Sequence, residues 1–165
     1  MKVGIALGSN LGDRLANLRA ARKSIVDLAA NKAVLASRVY ETEPVSCEPG
    51  ATKFLNAVIE IEYDGDPSDL LEKLIQIEEA LGRDRNHGRN VSRKIDSDIL
   101  YAGDLVIQNE RLQLPHPRMQ ERNFVLQPLA DIRPDLILPN QTKPVADLLA
   151  QIQDSTTLSC FAENW

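Results

Sequence analysis

Lys94-Ile95-Asp96-Ser97-Asp98-Ile99-Leu100-Tyr101 is the stretch on which the fold and the chemistry turn. Its apolar residues alternate as they do on a strand, and a strand sends successive side chains to opposite faces. Asp96 and Asp98 therefore share one face, and Ile95, Ile99 and Tyr101 are expected on the other, against a core. Two carboxylates that close repel unless a proton or a cation lies between them. Oxygen-only ligands favour a hard divalent ion such as Mg²⁺. The competing reading is a solvent-facing strand edge whose charges discourage aggregation. The apolar neighbours Ile95, Ile99 and Leu100 favour a partly buried strand instead. Arg83, Arg85, Arg89, Arg93 and Lys94 lie at or just before this run. Guanidiniums beside metal-binding carboxylates point to a polyphosphate site, whereas a bare charge run would be a solvated loop.

Working outward, residues 2–8 read as a buried-type strand. Gly8-Ser9-Asn10-Leu11-Gly12-Asp13 reads as a tight turn; it lacks the Gly-Lys-Ser/Thr ending of a phosphate-binding P-loop. A helix is expected over about 14–30, with Leu15, Leu18, Ile25 and Leu28 on one face. Residues 34–42 read as one strand, 44–52 as a loop holding Pro44, Pro49 and Gly50, and 54–63 as a strand with period-two alternation. Asp66 is a natural N-cap, with Pro67 at the first helical position and Asp69 in the first turn. Leu70, Leu74, Ile77 and Leu81 follow at helical spacing, and Gly82 is placed to end that helix. The order β-α-β-β-α-β predicts an α+β fold with a ferredoxin-like core. A C-terminal extension follows, with a short strand at 104–108 and helices at 121–127 and 144–152. The 165 residues are expected to form one domain, 1–165.

The chain is 43% hydrophobic but only 4% aromatic, so its core must be aliphatic. A net charge of −5 argues against a general binder of nucleic acid or membrane surfaces. Cys47 and Cys160 form no metal-ligand spacing and no disulfide framework, which fits a reducing, cytoplasmic setting. The apolar N-terminus is too short for a signal peptide or a membrane span.

Further polar and aromatic residues are candidates for ligand contact. His116 sits between Pro115 and Pro117 and could donate to a phosphoryl oxygen, or be an ordinary turn histidine. Arg118 and Arg122 could extend a positive site, or pair with carboxylates on the surface. Phe54 and Phe124 stand at element junctions where a planar ligand could be sandwiched, although the core is the commoner place for either. Asn56 shares the face of Phe54, and its amide could read the edge of a heterocycle.

Taken together, Gly8-Ser9-Asn10-Leu11, Tyr40-Glu41-Thr42-Glu43-Pro44, Phe54-Leu55-Asn56-Ala57, Ile77-Glu78 with Gly82-Arg83, Arg93 through Leu100, and Pro115-His116 with Arg122 and Phe124 resemble one family. It is the 6-hydroxymethyl-7,8-dihydropterin pyrophosphokinases of folate biosynthesis, and the resemblance spans nearly the whole chain. The resemblance implies transfer of pyrophosphate from ATP to the pterin's hydroxymethyl group with release of AMP. It implies two Mg²⁺ ions on Asp96 and Asp98, with Arg83 and Arg93 joining them as catalytic residues. It places Glu78, Arg83, Arg93, Ile99, Arg111, His116 and Arg122 at ATP. Thr42, Pro44, Val45, Phe54, Asn56, Asp96 and Phe124 would then hold the pterin. Small-molecule substrates and a cytoplasmic monomer go with it.

Residues 89–93 read Arg-Asn-Val-Ser-Arg where such proteins commonly carry Arg-Trp-Gly-Pro-Arg. Asn90 offers less apolar cover than an indole, so residues 84–92 are expected to move freely without ligand. A divergent paralogue with altered activity is the first alternative. An RNA-binding ferredoxin-like module is the second, disfavoured because the first strand has no aromatic for base stacking.

Overall fold

The computed structural model describes residues 1–43, 50, 52–82 and 92–165. Along these the order is β1 (Lys2–Ser9), α1 (Arg14–Val26), β2 (Val34–Ala36), β3 (Val39–Thr42), β4 (Phe54–Glu62), α2 (Pro67–Ala80) and β5 (Asp96–Ala102). The extension adds β6 (Ile107–Gln108), β7 (Gln113–Leu114), a 3₁₀ turn (Met119–Glu121), α3 (Asn123–Ile132), α4 (Val145–Gln151) and β8 (Leu158–Ala162). The βαββαβ core is present, with its second strand broken in two. The expected sites at Pro44, Val45 and Arg83, the residues 84–91 of the expected lid, and Cys47 lie outside the described residues.

The main sheet runs β5-β1-β4-β3-β8, with β2 also paired to β4, and each of these pairings is antiparallel. Side-chain parity divides its two faces. Val3, Ile5 and Leu7 of β1 and Leu55, Ala57, Ile59 and Ile61 of β4 point to one face. There they join Leu18, Ala21 and Ile25 of α1 and Leu70 and Leu74 of α2 in the larger core. Removing this aliphatic surface from water is the main force holding the helices to the sheet, at about 25 cal/mol per Å². The start of α2 matches its sequence: Asp66 accepts the Ser68 N–H at 2.7 Å, with Pro67 first in the helix. The expected helix over 14–30 stops at Val26.

On the other face, Val58, Leu100 and Tyr101 pack with Met119 and with Val125, Leu126 and Leu129 of α3. These, with Leu138 and Val145, form a smaller second core. It covers only part of that face and leaves the ends of β1, β3, β4 and β5 nearest Gly8 and Asp96 open as a pocket.

Tyr101 corrects the simple alternation. It lies with Leu100 on the second face, not with Ile95 and Ile99. The reason is a β-bulge: Ile5 pairs with Ile99 but Gly4 pairs with Tyr101, so Leu100 is the extra residue and parity flips beyond it. The Tyr101 ring occupies the space a Gly4 side chain would fill. Its hydroxyl donates to Glu60 at 2.5 Å, and Glu60 in turn accepts from Arg133 beyond α3.

Other boundaries also shifted. The strand expected over 34–42 breaks because Ala36 pairs with Ile59 and Tyr40 with Asn56, one residue more on one strand than on the other. The short strand expected at 104–108 is confined to Ile107–Gln108, paired with β7. The helix expected to end at 127 continues through Pro128 to Ile132. Strand β8 was not foreseen.

Candidate active site

The pocket is built from strand parity upward. Ala6 and Gly8 of β1, Thr42 of β3 and Phe54 and Asn56 of β4 line its floor. A Cβ on Gly8 would stand 3.4 Å from Asn56 Oδ1 and 3.8 Å from the Phe54 ring, so glycine keeps the floor low between them. Asn56 is almost fully buried, and its Nδ2 donates to Thr42 Oγ1 at 2.8 Å. That bond fixes the plane of the amide. Arg122 and Phe124, at the start of α3, form a wall, with the guanidinium 5.7 Å from the ring centroid. Arg93, Asp96 and Asp98 complete the lining at the edge strand β5. The cavity holds about 150 Å³. That is small beside the roughly 300–1,000 Å³ of a typical ligand site, and suits one planar heterocycle.

The electrostatics centre on the two carboxylates. Arg93 Nη1 meets Asp96 Oδ1 at 2.7 Å. Asp98 is half-buried where it lines the pocket. Burial, then the charges of Asp96 and Glu78, push its carboxyl up to about 7, against the opposing pull of Arg122 and Arg93. A divalent cation between Asp96 and Asp98 would relieve that repulsion. Among the described residues no cluster of three or more His, Cys, Asp or Glu side chains is placed for a metal. The pair alone leaves most positions around a cation to water or phosphate oxygens, and this is how Mg²⁺ is usually held. The donor set thus fits Mg²⁺.

Arg122 is half-buried, and burial together with the charge of Arg118 lowers its pKa. His116 is pinned by its backbone N–H to Leu100 O at 2.8 Å. Its Nδ1 accepts the Arg118 N–H at 3.2 Å, so the neutral ring carries its proton on Nε2. Burial and the charges of Arg122 and Arg118 lower its pKa, which favours the neutral ring.

Thr42, Phe54, Asn56, Arg93, Asp96, Asp98, Arg122 and Phe124 thus converge on one pocket. Four other expected site residues sit outside that lining. Glu78 lies behind β5 on the α2 side, where its carboxylate accepts the Ser97 N–H at 2.6 Å and hydroxyl at 2.8 Å. The Ile99 side chain belongs to the larger core. Arg111 pairs with Glu72 of α2 beside a groove lined by Ser68, Leu71 and Leu112. His116 lines a neighbouring cavity with Gln113 and Gln120.

Sequence reading gave Asn10 only a turn. The structure makes this fully buried residue the junction of the site's loops. Its Oδ1 accepts the Arg93 N–H at 2.8 Å, and its N–H donates to Arg93 O at 3.2 Å. Its Nδ2 donates to Thr52 O at 3.3 Å and Ser92 Oγ at 3.2 Å. Arg93 is thereby held from its backbone as well as from Asp96. Glu43, also unforeseen, lines the pocket rim and pairs with Lys53 at 2.9 Å.

The family profile described as 7,8-dihydro-6-hydroxymethylpterin-pyrophosphokinase matches residues 4–134. The chain is 41% identical over 150 residues to the 2-amino-4-hydroxy-6-hydroxymethyldihydropteridine pyrophosphokinase of Haemophilus influenzae, covering 91% of this chain and 92% of that one. It is 48% identical over 128 residues to the protein of the same name from Bacillus subtilis, covering 78% and 75%. Among solved structures it resembles wild-type Plasmodium falciparum HPPK-DHPS with pteroate, at a TM-score of 0.69 and 16% identity. That likeness, which concerns the fold, covers 91% of this chain and 42% of the longer one.

Proposed function

The chain belongs to the 7,8-dihydro-6-hydroxymethylpterin-pyrophosphokinase family, and from that premise we propose how its pocket performs the reaction. The activity is transfer of pyrophosphate from ATP to the hydroxymethyl group of 6-hydroxymethyl-7,8-dihydropterin, a step of folate biosynthesis. The observation that carries the assignment of roles is the meeting of Asp96 and Asp98 with Phe54, Asn56 and Phe124 around one small cavity.

In this reading the pterin ring lies against Phe54 and Phe124, with its amide edge toward Asn56 and Thr42. Stacking fixes the plane, and the oriented Asn56 amide selects the pattern of donors and acceptors. The hydroxymethyl oxygen then points to Asp96 and Asp98. Two Mg²⁺ ions held by these carboxylates would neutralise the triphosphate and favour the alkoxide form of the attacking oxygen. The pterin oxygen attacks the β-phosphorus, the bond from that phosphorus to the α-bridging oxygen breaks, and AMP leaves with the oxygen. Arg93 and Arg122 stabilise the charge moving toward the leaving group, and His116 donates from Nε2 to a phosphate oxygen. Arg83 is assigned to the same phosphates by resemblance, and Pro44 and Val45 to the pterin. His116 and Arg111, assigned to ATP by resemblance, lie outside this cavity, in neighbouring grooves.

A monomer as the working unit is carried over from the resemblance to the family. No helix among the described residues is long and apolar enough to cross a membrane. A cytoplasmic site of action agrees with the composition of the chain. The test is AMP release from ATP and Mg²⁺ with and without the reduced pterin alcohol. AMP and pterin diphosphate should form in equal amounts, and only with both substrates. If Asp98→Ala kept near-wild-type turnover, the metal assignment would be wrong.

A further inference from the structure

The two sides of the pocket are joined from outside by one short run, residues 154–158, and we propose that Asp154 is a positioning residue for pterin binding. It acts on Arg122 and Phe124 through the backbone of Asn123. The proposal rests on the reading of this pocket as the pterin site.

Helix α3 starts at Asn123, and Arg122, its N-cap, makes no side-chain capping bond. The first N–H groups of any helix lack partners within it. Here Asp154, 31 residues downstream, supplies one: its Oδ2 accepts the Asn123 N–H at 3.0 Å. Asn123 answers with its own side chain. Its Nδ2 donates to Thr156 O at 2.5 Å and Asp154 O at 3.3 Å. Asp154 Oδ1 accepts the Thr156 N–H at 2.9 Å and hydroxyl at 2.5 Å, which closes the ring of bonds. Asn123 is only 7% exposed, and the residues on either side of it are the two that form the pocket wall.

The same run then reaches the floor. Leu158 opens β8 and pairs with Thr42 of β3, the residue that orients the Asn56 amide. Four peptide units from residue 154 to residue 158 span at most about 14 Å. The run therefore limits how far the Arg122–Phe124 wall can move from the Thr42–Asn56 floor. A ring sandwiched between them needs that spacing held, since stacking weakens quickly with displacement. Simple helix capping would stabilise α3 without affecting ligand affinity, and this difference is what the test reads.

Asp154→Ala and Asp154→Asn are compared with the full-length wild type by calorimetry. The ligands are 6-hydroxymethylpterin, with a non-hydrolysable ATP analogue and Mg²⁺ present, and separately Mg²⁺ alone. Asp154→Ala should raise the pterin Kd about fivefold or more, equivalent to about 1 kcal/mol. Asp154→Asn keeps one acceptor oxygen and should recover part of the loss, and it carries the test alone if the alanine variant does not fold. Binding of Mg²⁺ alone at Asp96 and Asp98 should stay unchanged. A lowered Tm with unchanged pterin affinity would overturn the proposal, and so would equal loss of pterin and Mg²⁺ binding. Phe124→Ala is the control. Weakened pterin binding there, with none in Asp154→Ala, refutes only the role of Asp154; unchanged binding there refutes the pterin pocket itself.

Discussion

Replacing Asp98 by Asn should stabilise the protein in the absence of metal, and only above about pH 5. In the folded state the Asp98 carboxyl is pushed from its ordinary 3.8 up to about 7 by burial and by Asp96 and Glu78. A group that binds its proton more tightly when folded contributes stability that is full at pH below 3.8. That contribution is lost as pH rises toward and through 7. The difference corresponds to about 4 kcal/mol at pH 8. Asn keeps the shape but not the charge, and its amide must find new partners. A net gain of about 1–3 kcal/mol is therefore expected, equivalent to roughly 2–10 °C in Tm for a chain of this size. The assay is thermal unfolding in chelator from pH 4.5 to pH 8. Wild-type Tm should fall relative to Asp98→Asn as pH rises, and the two curves should converge near pH 4.5. Mg²⁺ should reverse the order at pH 8, adding about 4.1 kcal/mol to the wild type at a thousandfold excess over Kd and little to the variant. An Asp98→Asn protein less stable than wild type at pH 8 in chelator, or one with the same dependence on pH, would refute the argument.

Mg²⁺ affinity of the wild type should weaken as pH falls below 7, by up to about tenfold per pH unit, because the ion must displace the proton on Asp98; calorimetry in buffers of different ionisation enthalpy counts that proton. Phe124→Ala should cost pterin binding about 1–3 kcal/mol and affect the ATP analogue less, as isothermal titrations of each ligand would show. Arg133→Met takes the cation from the buried Glu60, which is 5% exposed and keeps the Tyr101 hydroxyl, and should destabilise the fold by about 3 kcal/mol in urea unfolding, with the KM for pterin unchanged below the transition. Gly4→Ala would drive a methyl into the Tyr101 ring and should cost about 1–3 kcal/mol by the same measurement.

What could be read from the sequence was what depends on neighbours in the chain. Period-two alternation placed Asp96 with Asp98 and Phe54 with Asn56, because parity within an unbroken strand is a local property. Parity failed at Tyr101, and the cause lies about a hundred residues away. The bulge at Leu100 is defined by pairing with β1, where Gly4 alone leaves room for the ring. The break between β2 and β3 likewise appears only as a mismatch in register against β4. Strand β8 has no alternation to announce it, since Ser159, Cys160 and Phe161 are all exposed; the available edge of β3 makes it a strand. Pro128 lies inside α3 and cannot donate to the carbonyl of Phe124. Helix α3 continues nonetheless, since Leu126 and Leu129, on either side of it, are both fully buried in the second core. The same distinction holds in the site. Asn10 looks like a turn residue because its partners lie 42 and 82 residues further along, at Thr52 and Ser92. Arg93 therefore takes its place at the pocket from a residue at the end of β1, on which the sheet, the loop before β4 and the approach to β5 converge. The two carboxylates could be found by pattern, but the groups that aim the arginine at them could be found only in the fold.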